Sequence, residues 1–263
     1  MINVCISGAL GKMGRRLIAL AAETRDMKVV GALEAAGTAG TGEAASVFVP
    51  EAPEGVVLET AYKGGADVII DFSFHAASAV LAPVAASFGT PIVIGTTGIT
   101  RTEMKEIDAA AKKIPVLTAP NMSVGANVMF DIAARMAKAL GVDFDIEIIE
   151  AHHRFKKDAP SGTALEAARR MAEARGQDEK AFVYGRQGET GARAAGEIAI
   201  HAVRAGDIVG DHTILFSCLG ERIELKHQAH TRDAFARGAL RAARWLVGKK
   251  PGKYAMKDVL EDA

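Results

Sequence analysis

Little in this sequence invites covalent or metal stapling. Only two cysteines occur among 263 residues, Cys5 and Cys218, one in each half. That is too few for a disulfide framework and fits a reducing compartment. No compact group of Cys, His and Asp has ligand spacing, so no metal is expected. Charge of one sign is also missing, because 32 Lys plus Arg balance 32 Asp plus Glu. The balance excludes a strongly basic nucleic-acid footprint and a polybasic membrane surface. No apolar run reaches the ~18 residues of a membrane span, and Met1 opens neither a basic region nor a long apolar stretch. A repeat of about 20 to 50 residues is absent as well. The expectation is a globular, cytoplasmic chain, 49% hydrophobic and 24% charged, long enough for one large core or two small ones.

In the first two-thirds, short apolar runs alternate with helical patterns. Strands are predicted at Ile2–Ser7, Lys28–Leu33, Val68–Asp71, Ile92–Ile94 and Val116–Thr118. Helices are predicted at Lys12–Glu23 and His75–Phe88, and from the capping box Thr100-Arg-Thr-Glu103 to Lys113. This alternation implies an α/β fold with a doubly wound parallel sheet. The Ala/Gly-rich stretch from Ala35 to Gly55 reads as a connection. After Asn121 the style changes. A helix over Ser123–Leu140 precedes strand-like segments at Phe144–Glu150, Ala181–Tyr184, Glu197–Val203, Asp207–Phe216 and Arg222–Gln228. In the last of these Ile223 and Leu225 alternate with Arg222, Glu224 and Lys226, predicting one buried face. Turns at Ala205-Gly206 and Leu219-Gly220 predict a second, α+β domain with a mostly antiparallel sheet. The helix Asp233–Val247 is expected to return to the first domain.

Gly8-Ala-Leu-Gly11-Lys-Met-Gly14 lies between the first strand and the first helix. Three glycines there permit a tight turn, close approach to a pyrophosphate and helix–sheet packing, and the helix N-terminus offers free N–H groups to the phosphates. Glu34 ends the second strand twenty residues past Gly14, where a carboxylate can accept from ribose hydroxyls. The same carboxylate repels a 2′-phosphate, and Ala35 and Ala36 supply no cation to hold one, although Lys12 and Arg15 stand near the glycine turn. NADH is therefore the expected cofactor, with some use of NADPH. Gly95-Thr-Thr-Gly98 and Ala119-Pro-Asn-Met122 follow the strands at 92 and 116, positions that could flank a nicotinamide or simply be turns.

The segment Glu150-Ala-His-His-Arg-Phe-Lys-Lys-Asp-Ala-Pro-Ser-Gly-Thr163 gathers five basic side chains ahead of a helix that Ser161 caps. Donors of Ser161, Gly162 and Thr163 form an anion site at that helix start, suited to a carboxylate, with His152 or Lys156 as proton donor. Adjacent residues on an extended chain point to opposite sides, so His152 and His153 are not a metal-chelating pair. Glu150 could as easily neutralise a neighbour as take part in chemistry. His227, His230 and Arg232 are expected to pair with carboxylates at an interface, and Trp245 to belong to the core.

These motifs, together with Asp71-Phe-Ser73 and Ala119-Pro-Asn-Met-Ser-Val-Gly125, resemble the 4-hydroxy-tetrahydrodipicolinate reductase (dihydrodipicolinate reductase) family nearly end to end. The resemblance implies a Rossmann-type dinucleotide-binding domain over residues 1–122 and a substrate-binding and oligomerisation domain over 123–232. Residues 233–263 would form a C-terminal helix on the first domain. It implies an NAD(P)H-dependent oxidoreductase of the diaminopimelate route to lysine, acting on a small cyclic dicarboxylate as a homotetramer, with its domains closing over both ligands. Gly8, Ala9, Leu10, Gly11, Lys12, Met13 and Glu34 would hold the cofactor's phosphates and ribose. Gly95, Thr96, Thr97, Ala119, Pro120, Asn121 and Met122 would line its nicotinamide end. His152 resembles the proton donor and Lys156 a second one, while His153, Ser161, Gly162 and Thr163 resemble substrate ligands. Ala35 departs from the arginine common in the family, which disfavours NADPH. An aspartate dehydrogenase-like enzyme would share Glu34 and the glycines but lack the Lys156–Thr163 block. A non-catalytic dinucleotide sensor would bind NADH without turnover.

Overall fold

The computed structural model describes residues 1–262. In chain order the first elements are β1 (Ile2–Ser7), α1 (Lys12–Glu23), β2 (Met27–Leu33), β3 (Leu58–Glu59), β4 (Val68–Asp71), α2 (His75–Ser87), β5 (Ile92–Ile94), α3 (Arg101–Ala111) and β6 (Pro115–Thr118). There follow α4 (Val124–Leu140), β7 (Asp145–His152), α5 (Gly162–Ala174), β8 (Phe182–Tyr184), β9 (Ile198–Arg204), β10 (Gly210–Cys218) and β11 (Glu221–Ala229). The last are α6 (Asp233–Leu246), β12 (Gly252–Tyr254) and α7 (Met256–Glu261). The chain divides into one compact unit of Met1–Val124 with Arg232–Ala263 and another of Gly125–Thr231.

The first unit is a parallel sheet in the order β12-β6-β5-β4-β1-β2-β3. Its strands are buried on both faces, which is why they read as unbroken apolar runs: Val68, Ile69, Ile70, Ile92, Val93 and Ile94 have no exposed surface. Strand order reverses at β1, with β2 and β3 on one side and β4 onward on the other, so a ligand crevice lies beyond the carboxyl ends of β1 and β4. Thr100 and Glu103 make the expected capping box of α3. Helix α6 packs against β4, β5, β6 and α1. Its Gly238 permits this, since a Cβ there would stand 1.8 Å from the Met122 carbonyl oxygen. Arg16 fixes the start of α6 through a two-point pair with Asp233, both contacts 2.8 Å. Strand β12 and helix α7 have no counterpart in the sequence reading.

The second unit has the sheet order β11-β10-β7-β9-β8. The expected antiparallel character holds for β7, β10 and β11, whereas β7–β9 and β9–β8 are parallel, so the sheet is mixed. The Ala205-Gly206 turn joins strands that are not neighbours, because β7 lies between β9 and β10. The long connection through α5 and β8 allows β9 to enter parallel to β7. One sheet face is buried with residues of α4 and α5, including Phe130, Met171, Ile146, Ile148, Ile214 and Phe216. The buried face expected for β11 is realised only over its second half, where Leu225 and His227 are half-buried and Ala229 is buried. That strand is an edge, Ile223 is exposed, and only Leu225 packs partly on the core.

Candidate active site

In the first unit the glycine turn is built by steric necessity. Gly8 has a positive φ of 74°, and a Cβ there would come within 2.4 Å of the Phe72 carbonyl oxygen. A Cβ on Gly14 would lie 2.1 Å from the Gly8 carbonyl oxygen, so this glycine lets α1 start directly on the turn. Gly11 is the exposed N-cap of α1, and no side chain caps that helix. Its first N–H groups thus remain available to an anion. Glu34 reaches the turn from the end of β2, where Oε1 accepts from the Leu10 N–H at 2.5 Å. Lys12 is exposed and Ala9 buried, with Leu10 and Met13 half-buried beside them. Arg15 is held back, donating from Nε to the Leu10 carbonyl at 2.9 Å and from Nη1 to the Phe48 carbonyl.

Beyond β1 and β4 opens a cleft of about 570 Å³ whose walls include Ser7, Gly8, Glu34, Ala35, Tyr62 and Phe74. No basic residue lines it. Phe74 is 62% exposed and lies against His75, whose Nδ1 meets Glu103 Oε1 at 2.7 Å. Buried Asp71 braces the neighbouring turns, accepting from Ser73 Oγ at 2.6 Å, from Thr96 Oγ1 at 3.0 Å and from Ser78 Oγ.

The turns after β5 and β6 stand at strand carboxyl ends, but their side chains divide. Gly95 leaves room for the Phe72 ring, which its Cβ would approach to 2.3 Å. The Thr96 hydroxyl belongs to the Asp71 brace and also accepts the Ser73 N–H, while Thr97 and Pro120 are exposed. Ala119 and Asn121 are buried, and Asn121 Oδ1 accepts the Ser123 N–H at 2.8 Å. Met122, expected beside the nicotinamide, turns its side chain into the apolar core at 1% exposure, so only its backbone remains for such a role.

In the second unit the basic segment folds around one buried carboxylate. Glu150, Ile148 and Ile146 alternate on the buried face of β7, followed by His152 at the strand's end. Glu150 Oε2 receives His152 Nδ1 at 2.6 Å and Arg204 Nη1 at 2.7 Å. Its Oε1 receives the Ser161 N–H at 3.0 Å and Arg204 Nη2 at 2.8 Å. Burial alone would raise the Glu150 pKa, yet hydrogen bonds from His152, Arg204 and the Ser161 backbone hold it at about 2. His212 faces Glu150 across the β7–β10 pair, and desolvation drives its pKa down to about 3, so it is neutral near pH 7. Its ring packs edge-on to His152, with centroids 5.1 Å apart.

Ser161 caps α5, its Oγ accepting from the Ala164 N–H at 3.2 Å and sharing a 3.0 Å hydrogen bond with His212 Nε2. At 1% exposure its side chain braces the helix start, beside the Gly162 and Thr163 backbone. Gly162 is exposed, and a Cβ there would meet nothing within 4 Å. Thr163 is half-buried beside it. The His153 Nδ1 is buried with no hydrogen-bond partner among the described residues, an orphan that suits a polar ligand. Lys156 Nζ pairs with Asp158 Oδ2 at 2.9 Å. No group of three or more His, Cys, Asp or Glu among the described residues could hold a metal. The sequence reading overlooks Arg204, His212 and Phe74. The only signal for Arg204 is a cation closing a strand that is apolar but for His201.

Comparison with known proteins agrees with both halves of this picture. Residues 2–122 match the family model described as dihydrodipicolinate reductase, N-terminus, and residues 125–260 the one described as dihydrodipicolinate reductase, C-terminus. The chain is 47% identical over 264 residues to 4-hydroxy-tetrahydrodipicolinate reductase of Syntrophus aciditrophicus (strain SB), covering 99% of this chain and 98% of that one. It is 46% identical over 265 residues to the protein of that name from Myxococcus xanthus (strain DK1622), with the same coverage. Among solved structures, a dipicolinate-bound dihydrodipicolinate reductase from Paenisporosarcina sp. TG-14 superposes with a TM-score of 0.74 at 25% identity, covering 97% of both chains. Matched over both halves and 46–47% identical to these relatives along nearly its whole length, the chain belongs to the dihydrodipicolinate reductase family.

Proposed function

We propose that the chain reduces 4-hydroxy-tetrahydrodipicolinate to tetrahydrodipicolinate, with loss of water, in the diaminopimelate route to lysine. The observation that carries this reading is the Glu150–Thr163 segment, which sets His152, His153 and Lys156 before the N-terminus of α5. A dicarboxylate finds N–H donors at Gly162 and Thr163 and a cation at Lys156. Its 4-hydroxyl leaves as water, and one hydride and one proton are then added to the conjugated ring. A bound nicotinamide supplies the hydride. His152 supplies the proton, Lys156 serves as second donor, and His153 uses its unpaired Nδ1 to hold substrate. The cations also stabilise charge developing on the ring as hydride arrives.

The cofactor site fits a dinucleotide: Gly8–Met13 suit the pyrophosphate, Glu34 the ribose, and the backbone of 95–97 and 119–122 the nicotinamide end. NADH is the preferred partner, with weaker use of NADPH. Three observations support this preference. Ala35 follows Glu34, the cleft wall presents Phe74 and no basic residue, and the Arg15 guanidinium is spent on backbone carbonyls. The enzyme acts as a cytoplasmic homotetramer. In support, the sheet face of the second unit that lacks helices exposes Ile149 and Val203, a surface suited to another copy.

The test follows NADH oxidation with substrate generated in place by the upstream synthase from pyruvate and aspartate semialdehyde, and NADPH in parallel. Rapid turnover, faster with NADH at limiting cofactor, is expected. Tight NADH binding without turnover would instead favour a sensor.

A further inference from the structure

Two of the groups around Glu150, the Arg204 guanidinium and the Ser161 N–H, can only donate. His152 Nδ1, both terminal nitrogens of Arg204 and the Ser161 N–H all converge on its two oxygens, within 2.6–3.0 Å. Only an ionised carboxylate accepts from all of them, because an amide or a protonated acid would turn at least one donor toward another. An Nδ1 lone pair facing the Glu150 Oε2 atom would likewise be repelled. The proton on Nδ1 is therefore held in place, and Nε2 is the nitrogen left to exchange.

We propose that Glu150, clamped by Arg204, is the positioning residue of His152: it locks Nδ1–H toward the carboxylate so that Nε2 carries the transferred proton. It also ties that ring to the start of α5 through the Ser161 N–H. This deepens the functional reading and rests on His152 as the proton donor.

The surroundings of His152 are built to the same end. A Cβ on Gly210 would lie 3.1 Å from Nε2, so the missing side chain keeps that nitrogen clear. The groups facing the ring are Glu150 on its own strand, Arg204 on β9 and His212 on β10. His212, kept neutral by its burial, places no second positive charge beside an imidazolium. Buried carboxylates commonly fix the tautomer and orientation of a working imidazole in this way.

The experiment compares wild type, Glu150→Gln, His152→Ala and the double variant in NADH oxidation. It also records the tautomer of His152 by NMR of the ¹⁵N-histidine-labelled protein. Glu150→Gln should lower kcat by about 10- to 100-fold while KM for substrate changes by less than about threefold. The His152 ring signals should move away from the Nδ1–H pattern. In the His152→Ala background the same substitution should cost less than about twofold, since the residue acts through His152. Glu150→Gln with wild-type kcat, an unchanged ring pattern, or a full loss in the double variant overturns the proposal. If His152→Ala turns over normally, the proton-donor reading fails, whereas the ring signals still report whether Glu150 sets the tautomer. Should Glu150→Gln fail to fold, Arg204→Lys keeps the charge but removes the fork. It should show the same shifts in smaller degree, and wild-type kinetics with an unchanged tautomer overturns the proposal there.

Discussion

The two units prepare their sites by opposite means. In the dinucleotide unit the working surface is backbone, with glycine positions where any Cβ would strike a main-chain atom, and a helix start left uncapped by side chains. In the other unit the working surface is ionised and buried. Glu150 has no exposed surface, and His152, Ser161 and His212 are each under 10% exposed. A site made of backbone tolerates loss of a side-chain charge but not gain of a methyl group. A site made of buried charge has the reverse sensitivity, because removing one partner leaves the others unpaired. The variants that follow set these sensitivities against one another.

The largest effect is expected at the charged site. His152→Ala should lower kcat by about 10² to 10⁴-fold with a much smaller change in KM, the mark of a lost proton donor. Steady-state NADH oxidation measures it, and a near-normal kcat removes the role. Next comes the backbone site. Gly14→Ala forces a Cβ against the Gly8 carbonyl oxygen and should cost about 3 kcal/mol of stability, read by denaturant melts. A fluorescence titration should show NADH affinity falling by roughly tenfold or more. An unperturbed protein would mean that the turn can relax, and the contrast between the two sites would weaken. Lys156→Ala should damage both terms by roughly tenfold, since the side chain is assigned to binding and to proton supply. Unchanged kinetics would end that assignment.

How much of this was legible in the sequence follows the same divide. Strands of the first sheet announce themselves because burial on both faces demands runs such as Val68-Ile-Ile, and the capping box of α3 is local by nature. That Glu34 meets the glycine turn is legible from its distance to the glycines, which the βαβ unit sets. The charged cluster is legible only in part. His152 and the cap at Ser161 lie within one segment, but Arg204 reaches Glu150 from 54 residues away. Parallel pairing of β9 with β7 brings it there, and no local pattern encodes that pairing. Glu150 on its own reads equally as a neutralising neighbour or as a participant in chemistry. Strands as short as β3 and β12 exist through their partners' hydrogen bonds and carry no periodicity of their own. Met122 is legible only as a motif position: that its side chain enters the core, with α6 settled on its carbonyl at Gly238, depends on a helix over a hundred residues away in sequence.

A smaller change sharpens the account of the dinucleotide cleft. Ala35→Arg adds a cation beside Glu34 in a wall that has none. The ratio of kcat/KM for NADPH over NADH should rise about tenfold, as a guanidinium meets the 2′-phosphate. No change would mean that the preference lies elsewhere in the cleft.

Acid separates the two units with the mildest effect. Glu150 and Glu147 both stand at about 2 when folded, despite burial that raises each. Glu147 is held down by hydrogen bonds from Arg186, His201 and Arg193, on the other face of the same sheet. A folded pKa below the unfolded value means stabilisation that is complete well above pH 4.5 and is lost as pH falls toward 2. At pH 4 the loss is about 1 kcal/mol per group, and only lower pH removes the rest. The dinucleotide unit's Arg16–Asp233 and Arg244–Asp26 pairs are solvent-facing and contribute little to such a slope. Hydrogen exchange between pH 7 and pH 4, corrected for its intrinsic rate, should therefore show protection falling first in β7, β9 and β10. A uniform decline through both sheets would mean that the buried carboxylates do not set the acid limit.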